Sequence, residues 1–151
     1  MISINDSHDH NTDQIALLPG IEKELVKATR QYELRFIKNP KKFITDFDDF
    51  LNQCQQIDRP PARIRSLSRI LSIYVNQFPH SISLYHQQTI VMLVSKWVKN
   101  HPQTAIICYC SRIMKTYQSE FKESFLDFRD FILYQQSNHS KGVQSIIRNY
   151  L

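Results

Sequence analysis

From Ile21 onward, apolar residues recur at intervals of three and four, the spacing that lines one face of an α-helix. Ile21, Leu25, Ala28, Tyr32 and Phe36 form a first stripe, which ends before Asn39-Pro40. Phe43, Phe47, Phe50, Leu51 and Cys54 form a second. Ile64, Leu67, Leu71, Tyr74, Val75 and Phe78 form a third, opened by Pro60-Pro61 and closed by Pro79. The fourth, over about 82–99, holds Leu84, Ile90, Val91, Val94, Trp97 and Val98. It is apolar around much of its circumference and is expected to be central. The fifth follows Pro102 with Ile106, Cys110, Ile113, Met114 and Tyr117. Phe121, Phe125, Phe128 and Ile132 make the sixth, and Val143, Ile146, Ile147 and Tyr150, after Gly142, the seventh. Strict two-residue alternation is sustained nowhere. The β-branched run Thr89–Val94 is the one rival candidate for a buried strand.

These stripes predict an all-α fold of six or seven helices, packed as a single compact bundle or a short solenoid-like stack. One α-helical domain is expected over 18–151. Residues 1–17 have few apolar positions and read as a flexible, disordered acidic arm. Three helix ends look alike: Phe36 to Pro40, Tyr74 to Pro79 and Trp97 to Pro102 each run from an aromatic through polar residues to a proline. A solenoid repeat would produce this, but no fixed period continues along the chain. The reading preferred is that proline stops each helix and the aromatic anchors its last turn. The Phe- and Asp-rich segments 46–51 and 127–132 also echo one another, as amphipathic helices of that composition do by chance.

Composition narrows the chemistry. Only 2 of 151 residues are glycine, against roughly ten at average usage. Phosphate-cradling Gly-rich loops are therefore excluded. The apolar runs are too short to span a bilayer, so no membrane span is expected. The N-terminus lacks the apolar segment of a signal peptide. The 3 cysteines, Cys54, Cys108 and Cys110, make no disulfide framework. Together these point to a cytoplasmic, reducing compartment.

The formal charge of +5 is a remainder of unlike segments. Residues 1–20 sum to −3, 21–45 to +4, 46–58 to −4, 59–119 to +8 and 120–151 to zero. The basic segment 59–119 contains eight Lys or Arg and no acid at all. Such a stretch suits an anionic partner, although lysines and arginines on an ordinary solvated face would look the same. Arg65 and Arg69 share a helix face, as do Lys96 and Lys99, and Arg112 and Lys115. If short connections make successive helices antiparallel neighbours, Arg63, Arg65 and Arg69 approach Lys96, Lys99 and His101. Arg112 and Lys115 then fall near His80 and His86. Four phosphate contacts by such a patch would give a salt slope of about −3.6 on duplex DNA.

Other constellations are weaker. The second and third helices have the order of a helix-turn-helix, with Arg63, Arg65, Ser66 and Arg69 as groove-facing candidates. The turn between them carries two prolines and no glycine, which does not suit that motif. Trp97 could offer a stacking face, but a lone Trp on so apolar a helix belongs in the core. His8-Asp9-His10, with Asp6 and Asp13, is a loose metal-binding possibility in the arm. Cys108 and Cys110, two apart on a helix, point to different faces and cannot grip one zinc. Cys110 lies on the apolar stripe and is expected to be inert. Asp46 and Asp49, and Asp127 and Asp130, are i,i+3 pairs better explained as solvated faces than as a catalytic dyad. No cofactor or metal is expected.

The sequence thus predicts a non-enzymatic binding module. Its basic centre, through Arg63, Arg65, Arg69, Lys96 and Lys99, would engage nucleic acid or an acidic protein surface. The alternative is a protein–protein adaptor or regulatory subunit, or a homo-oligomer, docking through an aromatic helix face of Phe125, Phe128, Phe131 and Tyr134.

Overall fold

In the computed structural model, which describes residues 19–43, 45–135 and 140–151, every stripe has become a helix. The order is α1 (Pro19–Lys38), a 3-10 turn (Pro40–Phe43), α2 (Phe47–Cys54), α3 (Pro61–Gln77), a 3-10 turn (Pro79–Ser81), α4 (Leu84–Asn100), α5 (Thr104–Thr116), α6 (Lys122–Gln135) and α7 (Lys141–Tyr150). Among the described residues there are seven α-helices and no strand, so the fold is all-α. The expected arm at 1–17 and its His8-Asp9-His10 segment lie outside the described residues.

Three helix ends follow from proline. Pro40, Pro79 and Pro102 each sit two positions beyond the last residue of α1, α3 and α4. Proline drives the residue before it out of the α region and supplies no N–H to continue the ladder. Pro61 instead occupies the first position of α3, where its missing N–H is no loss. Ser83 and Ser140 cap α4 and α7, accepting hydrogen bonds from the backbone N–H of His86 at 3.1 Å and of Val143 at 3.2 Å. The aromatic in each proline-stopped last turn is buried: Phe36, Tyr74 and Trp97 are each 1% exposed. Burying a side chain of this size contributes about 2–3 kcal/mol, which ties the helix end to its core. Thr89–Val94 is helical, and the Thr89 hydroxyl donates back to the Tyr85 carbonyl at 3.1 Å.

The chain falls into two compact units, one ending at Ile70 and the other beginning at Leu71, with the boundary inside α3. In the first, an aromatic cluster joins α1 to the turn and α2. Tyr32 meets Phe43 edge-on at 5.4 Å and stacks on Phe50 at 6.0 Å, and Phe36 meets Phe43 at 5.5 Å. Leu51, Cys54, Ile57, Ile64, Leu67 and Ile70 complete this core.

Beside it lies a buried polar network. The Thr29 hydroxyl donates to the Leu25 carbonyl at 2.8 Å and accepts from Arg63 Nε at 3.2 Å. Glu33, with a side chain only 3% exposed, receives Arg30 from its own helix and Arg69 from α3, the latter at 3.3 Å. A buried carboxylate needs such company, because leaving it unpaired costs several kcal/mol.

In the second unit α5 is the hub, packing against α4, α6 and α7. The expectation that the fourth helix would be central needs revision. Its buried residues Ile90, Val91, Leu93, Val94, Trp97 and Val98 cover one broad arc. Leu84, counted in that stripe, faces outward, and so do its neighbours Tyr85 and Met92. Helix α7 includes Gly142 rather than following it. A Cβ there would lie 2.9 Å from Thr104 Cγ2 at the start of α5.

Two stability predictions follow from these contacts. Glu33→Gln strands two guanidinium partners and should lower stability by about 2 kcal/mol. Arg69→Gln leaves Arg30 on Glu33 and should lower it by about 1 kcal/mol. Urea unfolding at unchanged m value reads the difference, and equal losses would contradict the shared-carboxylate account. Gly142→Ala alone should be neutral or slightly destabilising, because Thr104 has to give way. In a Thr104→Ser background, which lacks Cγ2, the same change should gain about 0.5 kcal/mol from helix propensity. Thermal melts of the double-mutant cycle check this, and simple additivity would show that the close approach is relaxed.

Candidate nucleic-acid interface

A helical wheel sorts the basic residues of α3. Arg63 falls within the inward arc of Ile64, Leu67, Ile70 and Tyr74, while Arg65 lies on the far side. Arg63 is accordingly 2% exposed and bonded to Thr29. This corrects its assignment as an anion contact: it is a structural residue of the first unit's core. Arg69 is half-exposed and is the ion-pair partner of Glu33, so its charge is already matched. Arg65 is exposed. The acid-free character of 59–119 therefore does not leave all eight bases uncompensated, since Glu33 on α1 reaches across to α3.

Lys96 and Lys99 are exposed on the second unit. Both stand on the outward face of α4, and the same face carries Tyr85, Gln88 and Met92. Successive positions 85, 88, 92, 96 and 99 stay within one narrow helical arc. Tyr85 is 68% exposed, Met92 75% and Leu84, beside them, 63%. The stripe runs about 20 Å from Tyr85 to Lys99, apolar and aromatic at its start and basic at its end. Lys99 in the last turn also complements the helix dipole. Tyr85 and Met92 escaped the sequence reading. The signal was present in their four-residue register with Lys96, but apolar residues on a strongly apolar helix look like core.

Trp97 is buried and offers no stacking face. The aromatic face expected on α6 does not exist as a surface either. Phe125 and Phe128 are 3% and 2% exposed and belong to the core, Phe131 is half-buried, and Tyr134 is 84% exposed. Nine residues at 100° each place Tyr134 diametrically opposite Phe125, so the four could never share one face.

A third basic group lines a groove of about 400 Å³ in the second unit, bounded by Ser72, Ile73, Asn76, Arg112, Lys115, Thr116 and Tyr150. Arg112 Nε donates to the Tyr150 hydroxyl at 3.0 Å. Its guanidinium carbon lies 5.9 Å from the centre of the Tyr109 ring and 5.7 Å from that of Tyr150. Two rings and one hydrogen bond thus hold a cation in place.

Among the described residues, no three His, Cys, Asp or Glu side chains gather as a metal site. Among the same residues, no helix is long and apolar enough to cross a membrane. Burial pushes the thiols of Cys54 and Cys110 well above their ordinary range. Cys108 is half-buried. The chain matches no protein-family model, no curated protein and no solved structure.

Thiol labelling tests the cysteine assignment. With 5,5′-dithiobis(2-nitrobenzoate) at pH 8, Cys108 should react in the native protein, and Cys54 and Cys110 only after denaturant is added. Rapid reaction of more than one thiol without denaturant would contradict their burial.

Proposed function

We propose that the protein is a non-enzymatic binding module that engages single-stranded nucleic acid along the outward stripe of α4. Lys96 and Lys99 contact backbone phosphates and Tyr85 stacks on a base. The observation that carries the reading is the exposure of an aromatic ring and two lysines on one helical face, in a segment that contributes no acid of its own. A basic track with an aromatic platform is the general solution for binding a strand without reading its sequence. Arg65 is a further exposed cation on the first unit. The stripe's exposed Leu84 and Met92 favour a second reading, an adaptor that docks an acidic amphipathic segment on the same face.

Fluorescence anisotropy of labelled single-stranded and duplex oligonucleotides, at several salt concentrations, tests the proposal. The wild type should bind single strands with a dissociation constant near micromolar. Lys96→Gln/Lys99→Gln should weaken binding and reduce the salt slope by about 1.4, the share of two phosphates. Tyr85→Ala should lose about tenfold with the slope unchanged. Absence of salt-sensitive binding, or a double variant that binds like wild type, overturns the nucleic-acid reading and leaves the adaptor reading.

A further inference from the structure

The groove of α3, α5 and α7 uses none of the residues of the α4 stripe, and its chemistry is different. Arg112 and Lys115 bring two positive charges, and neither makes an ion pair among the described residues. Ser72, Asn76 and Tyr150 add neutral polar groups, and no carboxylate side chain lines the wall. An arginine at a protein surface is ordinarily mobile, and ordering it on binding weakens affinity. Here the Tyr150 hydroxyl takes Nε, and the rings of Tyr109 and Tyr150 flank the guanidinium. Thr116 is tied down as well, its hydroxyl donating to the Arg112 carbonyl at 3.1 Å. Arg112 is exposed, but Nε is taken by Tyr150, which leaves the terminal nitrogens for the two-pronged contact a phosphate accepts.

We infer that this groove is a binding site for a phosphate monoester whose organic part is about the size of a nucleoside. Arg112 and Lys115 hold the phosphate dianion. A volume of about 400 Å³ lies within the range of small-molecule pockets and exceeds what a bare phosphate fills. Ile73 and Tyr150 supply apolar wall, and Ser72 and Asn76 supply hydrogen bonds for the sugar or base. The phosphate has two possible sources, a free mononucleotide or the phosphorylated end of a nucleic-acid strand. The site stands whether or not the α4 stripe binds nucleic acid.

Titration of the full chain, followed by ¹H–¹⁵N correlation spectra and calorimetry, tests this with five probes: inorganic phosphate, adenosine 5′-monophosphate, adenosine, and a ten-nucleotide strand with and without a 5′-phosphate. The monophosphate should shift the amides of Arg112, Lys115 and Thr116 and bind about tenfold tighter than either phosphate or adenosine. Lys115→Gln should weaken it about tenfold, and Arg112→Gln at least as much. Tyr150→Phe, which keeps the ring and loses only the hydroxyl, should weaken it several-fold by freeing the guanidinium. Circular dichroism and thermal melts establish that each variant is folded. Lys115→Gln carries the test if Arg112→Gln loosens α7. A 5′-phosphate that tightens strand binding, with the gain lost in Lys115→Gln, identifies the strand end as a source; equal binding with and without it leaves the free mononucleotide. No shift at these amides with any probe overturns the site, as does adenosine binding as tightly as its monophosphate. Phosphate binding as tightly as the monophosphate overturns the nucleoside-sized ligand. None of these outcomes depends on Lys96 or Lys99.

Discussion

Proline sets where three of the seven described helices end, and the packing of their last turns answers to those stops. A helix in a protein draws most of its stability from the face it buries. In α1, α3 and α4 the chain places a large aromatic in the last turn before the stop and buries it fully: Phe36, Tyr74 and Trp97. The end of a helix, where fraying begins, is thereby the end most firmly packed. Short α2 has no such length to draw on and relies on Phe47, Phe50, Leu51 and Cys54, four buried residues in eight. With the helices so bounded, the connections are short, and neither of the two glycines has positive φ.

Charge is distributed under the same constraint. A helix that buries one stripe has only its remaining surface for charged residues, and a basic residue that falls on the inner arc must find an acceptor there. Arg63 finds Thr29. Arg69, at the margin of that arc, finds Glu33, the one carboxylate buried among the described residues. Two of the three arginines of α3 singled out by the basic pattern are thus part of the scaffold. The charges left over, Arg65 on one unit and Lys96, Lys99, Arg112 and Lys115 on the other, have no acid matched to them among the described residues. Desolvating such cations against a phosphate breaks no existing pair, which is the physical reason for locating anion binding there.

The two candidate sites in the second unit use this surplus differently. On α4 the lysines are exposed point charges along one helical face with an exposed tyrosine, an arrangement suited to a flexible strand. In the groove, an arginine bonded to one tyrosine and beside the ring of a second lines a concavity, an arrangement suited to one compact anion. An open face favours low specificity, and a lined concavity favours recognition of a particular group.

The helices and their limits were legible in the sequence because both arise locally. A 3.6-residue apolar period and a proline need no knowledge of distant residues: all seven stripes reappear as helices, and α1, α3 and α4 end at their proline signals. Of the candidate site, the sequence reading named Lys96 and Lys99 on one helix face; it missed Tyr85 and Met92 beside them and took the inward-facing Arg63 for a surface cation. What the sequence could not decide was which face of α4 would be covered, since its apolar residues run nearly all the way round and only packing against α5 and α6 chooses an inner arc. Nor could it pair Glu33 with Arg69, 36 residues away, or bring Tyr150 to Arg112, 38 residues away. Those pairings are set by how helices dock. Docking depends on side chains from several elements at once, and no single stretch of the chain encodes it.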